Sequence, residues 1–163
     1  MNKVNGTQNS YAPIREEGSR ITICYGLKKL SGNLYEWIEI YLPKKQVSQI
    51  TLEDVKAAIV ADINERITNA IISGFVWEDK PVWFSLENQI NFSQASAPAM
   101  LKIGEEENGT PVYHQFDTDA ELRAFNEACL SWKNECLEVG RAEKEGMDWT
   151  PYENFFPNSS EEV

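Results

Sequence analysis

The sequence predicts an α+β protein in which small antiparallel β-hairpins pack with two long amphipathic helices and one short helix. Two stretches repeat apolar side chains every three or four residues, which is typical of amphipathic helices. Three pairs of β-rich runs each surround a short polar turn, as β-hairpins do. The chain has 163 residues, the length of one domain with an appended segment.

The N-terminal part of the chain divides into a polar segment and a hairpin. Residues 1–19 are polar and lack apolar periodicity, so we expect a flexible extended arm. Residues 20–45 predict an aromatic β-hairpin that acts as an adaptor. Its second strand alternates and places Tyr35, Trp37 and Tyr41 on one face. These aromatic side chains form either a second buried layer or an exposed docking face, and burial is the favoured alternative.

The main domain is predicted at residues 46–156, and it begins with a long helix. Thr51 and Asp54 stand at the positions of a capping box, and Gly74 is placed to end the helix. The apolar stripe of this helix consists of Leu52, Val55, Ile59, Ile63, Ile67, Ala70 and Ile71.

A strand–turn–strand–helix unit follows this helix. Residues 75–77 and 82–84 are apolar at consecutive positions, which predicts two short strands with both faces covered. Trp83 is therefore expected in the core. Ser85 is expected to cap the short helix that comes next.

A second hairpin and a second long helix complete the domain. Asn108-Gly109 lies between two β-rich runs, a strong hairpin signal. Thr118 and Glu121 form a capping-box pattern before a heptad-like seam. The seam consists of Leu122, Phe125, Cys129, Trp132, Cys136 and Val139. Residues 147–156 are expected to fold back as an aromatic strap, and residues 157–163 to form an acidic tail.

The charge balance disfavours two classes of partner. The chain carries 15 basic and 26 acidic residues, a net charge of −11. This balance repels nucleic-acid phosphates and anionic lipid, so we expect neither nucleic-acid nor membrane binding. The N-terminus lacks the apolar core of a signal peptide, which favours the cytoplasm. The three cysteines are expected to be reduced core thiols.

The chemistry-bearing residues form no recognisable constellation. His114 is the single histidine, and its strand position indicates a half-buried structural role. Phosphate-binding glycine loops, nucleophile elbows and zinc-binding helix motifs do not occur in the sequence. We therefore predict no catalytic residue, no cofactor and no metal, and a protein that is not an enzyme.

Four pieces of the chain carry a family resemblance. They are VKAAIVADINERITNAIISGF, VWFSLENQINF, LKIGEEENGTPVYHQF and AEKEGMDWTPYE. Together they resemble an uncharacterised domain family of bacteriophages and prophages, encoded near tail and tail-fibre genes, over about residues 53–153. The resemblance implies no enzymatic residues. Within the second piece, Asn88, Gln89 and Asn91 offer amides that either tie backbone groups together or line a docking site.

The resemblance and the residues together suggest a non-enzymatic phage structural or accessory protein, tail- or fibre-associated, that acts by protein–protein docking. Its expected partners are other virion or tail-fibre proteins, with a homo-oligomer as a further option. Its expected location is the host cytoplasm during assembly and then the virion. Two alternatives are a cytoplasmic tail-fibre assembly chaperone and a carbohydrate-binding module that uses exposed tryptophans.

Overall fold

The computed structural model describes residues 2–43 and 46–156 and confirms the α+β class. The predicted acidic tail at residues 157–163 lies outside the described residues. In chain order the elements are β1 (Asn2–Gly6), β2 (Ile14–Glu17), β3 (Arg20–Ser31), β4 (Leu34–Pro43), α1 (Leu52–Ser73), β5 (Phe75–Trp77), β6 (Lys80–Val82), α2 (Leu86–Gln94), β7 (Ala99–Glu105), β8 (Pro111–Phe116), α3 (Asp119–Glu145) and α4 (Thr150–Glu153). Both long helices and two of the three hairpins lie where the sequence predicts them, whereas the second strand of the β5–β6 hairpin covers Lys80–Val82 instead of residues 82–84.

The chain divides into two compact units. Among the described residues, unit 1 consists of residues 2–43, 46–64 and 143–156, and unit 2 of residues 65–142. The change from β-rich to helical patterning instead predicts a boundary at residue 46. The observed boundary lies inside helix α1, so α1 contributes residues to both units.

Unit 1 contains a four-stranded antiparallel sheet in the order β1-β4-β3-β2. The central β3–β4 pair forms the predicted hairpin, with Arg20 opposite Pro43 at one end and Ser31 opposite Leu34 at the other. β1 pairs along β4, with Asn2 opposite Glu39. β2 pairs along the start of β3.

The N-terminal segment is therefore not a flexible arm, and this expectation is wrong for the described residues. Both edge strands of the sheet come from it. The polar composition of this segment suggested disorder. An edge strand, however, is stabilised by backbone hydrogen bonds, which any side-chain composition allows. Ile14, the apolar residue at the start of β2, is buried opposite Ile23.

The core of unit 1 joins the sheet to the first half of α1 and to the C-terminal strap. The Tyr25 hydroxyl donates to Asp62 Oδ2 of α1 at 2.5 Å. The Tyr152 hydroxyl, from the strap, donates to the backbone oxygen of Cys24 at 2.6 Å. Tyr152 is 1% exposed, so the expected aromatic strap does fold into this unit. The other buried apolar side chains of the unit include Ile21, Ile23, Trp37, Ile50, Val55, Ile59 and Ile63.

Unit 2 contains the two small hairpins, β5–β6 and β7–β8, around an aromatic core. Glu78 and Asp79 form the β5–β6 turn with positive φ angles of 47° and 60°. Such angles characterise the tight turns that match strand twist. The core cluster consists of Ile71, Val82, Phe84, Phe92, Ile103, Phe116, Leu122, Phe125, Cys129 and Cys136.

Two expectations about this unit are wrong. The second short strand ends at Val82, and both faces of the hairpin are not covered, because Val76 remains 70% exposed. Trp83 is 43% exposed rather than part of the core. The apolar run at residues 82–84 is not one continuous strand. Strand β6 ends at Val82, and the next residue, Trp83, is exposed.

Helix α3 follows its predicted seam as far as Cys136 and then departs from it. Val139 is exposed, and Gly140 is buried in its place. A Cβ atom on Gly140 would lie 2.5 Å from Ile67 Cγ1, so this glycine permits the close approach of α1 and α3 within unit 2. The helix continues through Gly140 to Glu145, so Gly140 does not end it.

Candidate docking surfaces

The aromatic face of the sheet in unit 1 is closed by the N-terminal segment. Trp37 is 2% exposed, and the ring of Tyr11 packs edge-on against it with the ring centroids 5.9 Å apart. The backbone of Gly6 lies directly on the indole, since a Cβ atom there would be 2.5 Å from Trp37 Cη2. Trp37 is therefore a core residue, as the favoured alternative predicted.

A buried carboxylate, that of Glu39, organises the polar atoms of this face. Its Oε1 accepts hydrogen bonds from Trp37 Nε1 at 3.0 Å and from Arg15 at 2.6 Å. Its Oε2 accepts one from the Tyr41 hydroxyl at 3.3 Å. Burial acts to raise the pKa of Glu39, but these hydrogen bonds and the Arg15 charge outweigh it, so the pKa lies below its usual range. Burial also raises the pKa of the neighbouring Cys24 thiol to about 12.

The two tyrosines predicted beside Trp37 are held by partners within unit 1. The Tyr35 hydroxyl donates to Gln8 Oε1 at 3.2 Å. The Tyr41 hydroxyl accepts from Asn2 Nδ2 at 3.1 Å, and the Arg20 guanidinium lies 4.4 Å from the centre of its ring. Tyr35, Trp37 and Tyr41 thus share one face, as predicted, and each is engaged by other residues of unit 1.

An open groove of about 810 Å³ lies in unit 2 between helix α2 and strand β7. Four consecutive residues of β7, Ala99 to Lys102, line it. Side chains on one face of a strand alternate, so consecutive residues can line a groove only where the edge of the strand forms its wall. The groove therefore presents backbone groups of β7 as well as side chains.

The strand edge at this wall has no partner strand among the described residues. β8 pairs along the other edge of β7 from Ala99 to Glu105. The Trp83 N–H donates to the Ile103 oxygen at 2.8 Å, just past the run from Ala99 to Lys102. An unpaired strand edge offers hydrogen-bonding groups to an incoming extended chain.

Apolar side chains flank this edge. Trp83 is 43% exposed and Met100 is 67% exposed, and both line the groove together with the buried Phe92. Trp83 is the one tryptophan in the described residues that is more than a third exposed. Sequence reasoning placed Trp83 in the core and gave Met100 no functional role, because strand alternation does not reveal which edge stays open.

The three predicted amides divide between structure and groove. Asn88 Nδ2 donates to the Trp83 oxygen at 2.8 Å, and Gln89 Nε2 donates to the Phe84 oxygen at 3.0 Å. These bonds tie the start of α2 to the segment that carries Trp83. Asn91 is exposed and lines the groove. The cap is as predicted, since Ser85 Oγ accepts from the Asn88 N–H at 3.2 Å.

One charged side chain of each sign, Lys102 and Glu87, is among the residues that line the groove. Lys102 donates to Glu105 Oε1 at 2.5 Å, and this contact raises the pKa of Lys102. Glu87, in the first turn of α2, lines the groove and makes no ion pair among the described residues.

His114 lies at the centre of a hydrogen-bonded row in unit 2. Lys80 Nζ is 2.7 Å from its Nδ1, and Glu121 Oε1 is 2.9 Å from its Nε2. Its ring packs edge-on against Trp77 with centroids 5.0 Å apart. Both ring nitrogens are occupied by protein partners, so the row ties β6, β8 and α3 together. The hydrogen bonds from His114 and from the Asp117 N–H lower the pKa of Glu121.

Over the described ranges, no three His, Cys, Asp or Glu side chains are grouped so that they could hold a metal ion. None of the helices in those ranges is long and apolar enough to cross a bilayer. Comparisons with protein-family models, with curated proteins and with solved structures found no match.

Proposed function

We propose that the chain is a non-enzymatic docking protein, whose groove between α2 and β7 receives an extended segment of another protein chain. The observation that carries this proposal is the lining of the groove by four consecutive residues of β7, Ala99 to Lys102. Extended peptides bind such edges by adding a strand, with backbone hydrogen bonds for affinity and side-chain pockets for selectivity.

The side chains around the groove suit a peptide better than a flat ligand. Trp83 and Met100 supply exposed apolar contact at its wall. Aromatic residues and methionine are enriched at protein interfaces. A glycan platform uses several exposed aromatic rings on one surface, whereas Trp37 is buried and the exposed rings in the described part of the chain, Tyr41, Trp83, Tyr113 and Phe155, come from four different segments. The docking proposal therefore has more support than the carbohydrate-binding alternative.

The setting proposed for this docking is a bacteriophage or prophage particle, tail- or fibre-associated. Its support is the resemblance of about residues 53–153 to a phage domain family. Mass spectrometry of purified particles from the encoding phage or prophage tests it. Stoichiometric presence would support a virion component. Abundance in the lysate with absence from particles would favour the assembly chaperone, and absence from both would overturn the phage setting.

The groove itself is tested with a defined probe, a displayed library of random dodecapeptides selected against the folded protein. Peptides recovered from it should shift the backbone amide resonances of residues 99–102 in two-dimensional nuclear magnetic resonance spectra. The variant Met100→Lys should weaken their binding at least tenfold, because it places a charge in the apolar part of the groove.

A matched variant separates the groove from general surface effects. Val76→Lys introduces the same charge at a strand position that is 70% exposed, against 67% for Met100, and Val76 does not line the groove. It should leave peptide binding unchanged. Resonance shifts that avoid residues 99–102, or equal losses in both variants, would contradict a binding site in the groove.

A further inference from the structure

The tip of the β3–β4 hairpin in unit 1, defined here as residues 26–34, exposes apolar side chains that the sheet does not use. Leu27, Leu30 and Leu34 are 38%, 45% and 43% exposed. These three partly exposed leucines lie close together in sequence, at the end of the hairpin where β3 turns into β4. Scattered exposed leucines are ordinary, whereas a clustered group marks a contact surface.

The same tip carries two lysines without partners. The side chains of Lys28 and Lys29 are exposed and make no hydrogen bond or ion pair with the described residues, although Lys28 stands opposite Glu36 in the β3–β4 register. Each of the other described lysines has a polar or ionic side-chain partner: Lys3, Lys56, Lys80, Lys102, Lys133 and Lys144. In a chain of net charge −11, the tip is therefore a locally basic surface.

The tip also presents an open strand edge. β2 covers β3 only from Arg20 to Ile23, and the Cys24 N–H then donates to the Pro13 oxygen. From Tyr25 to Ser31 no described strand pairs with this edge of β3. Register shifts between Tyr25 and Lys28 and between Lys29 and Ser31 bracket the two lysines. Such bulges re-aim side chains and are typical of strand edges.

Two hairpin tips are not expected to pair with each other. Lysines on an edge strand oppose edge-to-edge pairing, because two such edges bring like charges together. The groove of unit 2 has the complementary properties: an open edge on β7, the exposed apolar side chains of Trp83 and Met100, and the carboxylate of Glu87 without an ion pair, while the Lys102 ammonium that also lines the groove is paired with Glu105. The open edge, the apolar side chains and the sign of the charge all match.

We propose that the hairpin tip of one copy of this chain docks into the groove of a second copy. β3 of the first copy extends the β7–β8 sheet of the second, its leucines contact Trp83 and Met100, and its lysines face Glu87. This inference rests on the proposed function and names the partner segment. The contact is head-to-tail. A pair of copies therefore still has one free tip and one free groove, so assembly continues into chains or closes into a ring.

Sedimentation equilibrium of the purified full chain tests the contact. The weight-average mass should rise above the monomer mass of 18.6 kDa as the concentration increases. The tip variant Leu30→Glu and the groove variant Met100→Lys should each remain monomeric. Leu137→Glu and Val76→Lys are matched controls, because these residues are 49% and 70% exposed and lie outside both surfaces. Both controls should assemble as the natural chain does.

Mixing the two variants gives the sharpest readout. The tip variant keeps an intact groove and the groove variant keeps an intact tip, so an equimolar mixture should form dimers of one copy each and nothing larger. A charge reversal gives a second measurement: Glu87→Lys alone should weaken assembly, and mixing it with the Lys28→Glu/Lys29→Glu variant should restore assembly beyond a dimer, because the two unchanged surfaces fit each other and the two reversed surfaces do as well. Melting curves of each variant check that it is folded.

Three results would overturn the inference. They are a chain that stays monomeric at every concentration, an assembly that survives both variants, and an assembly lost in the tip variant but kept in the groove variant. The last result would indicate tip-to-tip pairing. A monomeric chain whose groove still binds library peptides would refute the second copy as partner and leave the proposed function standing. Failure of both experiments would refute both proposals.

Discussion

Two tryptophans of this chain, Trp37 within strand β4 and Trp83 directly after strand β6, have opposite surroundings. Trp37, in unit 1, is 2% exposed beneath the N-terminal segment, and its indole N–H is used by Glu39. Trp83, in unit 2, is 43% exposed at the wall of a groove. Trp37 belongs to a strand with a neighbour on each side. Trp83 follows a strand that ends one residue earlier.

The difference teaches that the covering strand, rather than the aromatic residue, decides which face is available for docking. Trp37 would be an exposed platform without Gly6 and Tyr11 above it. Trp83 would be a core residue if another strand paired with the open edge of β7. The two sites thus differ in the presence of one added strand, which is also what the proposed docking would supply.

The largest expected effect comes from removing the cover of Trp37. Deleting residues 1–19 eliminates β1 and β2, so unit 1 should lose its cooperative unfolding transition. The Trp37 emission should move to longer wavelength, as for an indole in water. A thermal melt by circular dichroism, with fluorescence spectra, measures both changes. A deletion variant that melts like the natural chain would restore the idea of a dispensable arm.

Trp37→Ala should lower the free energy of unfolding by roughly 3–5 kcal/mol, because it leaves a large cavity under the N-terminal segment. Urea titration monitored by circular dichroism gives this value. Trp37→Phe is the graded control, since it keeps a ring for Tyr11 but removes the hydrogen bond to Glu39. A loss for Trp37→Ala no larger than that for Trp83→Ala would break the comparison.

Glu39→Gln should lower the free energy of unfolding at neutral pH by about 1–3 kcal/mol, because it removes charge-assisted hydrogen bonds at a buried site. The folded pKa of Glu39 lies below its usual range, so the stabilising contribution is present above the unfolded pKa of about 4.3 and is lost as pH falls through the folded value. As the pH is lowered from about 6 to about 2, the free energy of unfolding should therefore fall less steeply in the variant than in the natural chain. Equal slopes would exclude Glu39 as a contributor.

Trp83→Ala should cost about 1 kcal/mol or less, since its backbone N–H keeps the bond to Ile103 and the ring is already partly in water. The same variant should abolish peptide binding in the groove. Urea titration and a peptide-binding assay on one preparation give both numbers. A loss of several kcal/mol would return Trp83 to the core, as the sequence first suggested.

The helices could be predicted because their signals are local. Thr51 and Asp54 exchange the hydrogen bonds of a capping box, and the Glu121 N–H donates to Thr118 Oγ1, as their spacing indicates. The hairpins follow from turn residues such as Gly109, with its φ of 82°. Each of these features is decided within a few residues of the chain.

The N-terminal strands and the groove could not be predicted, because neither has a local cause. β1 has the sequence NKVNG, with one apolar residue, and its partner in β4 lies some thirty residues away. Gly6 was the one available sign, since a residue without a side chain suits a close approach. The groove depends on which edge of β7 stays unpaired, and the side-chain pattern of a strand is the same for both edges.

The hydrogen bond from Tyr152 to Cys24 spans 128 residues and sets an order of events during synthesis. Unit 2 is continuous in sequence and can fold once residue 142 has left the ribosome, whereas unit 1 waits for the segment that begins at residue 143. A premature stop before residue 152 would remove this hydroxyl, leaving the Tyr11 hydroxyl as the side-chain donor to the Cys24 backbone oxygen.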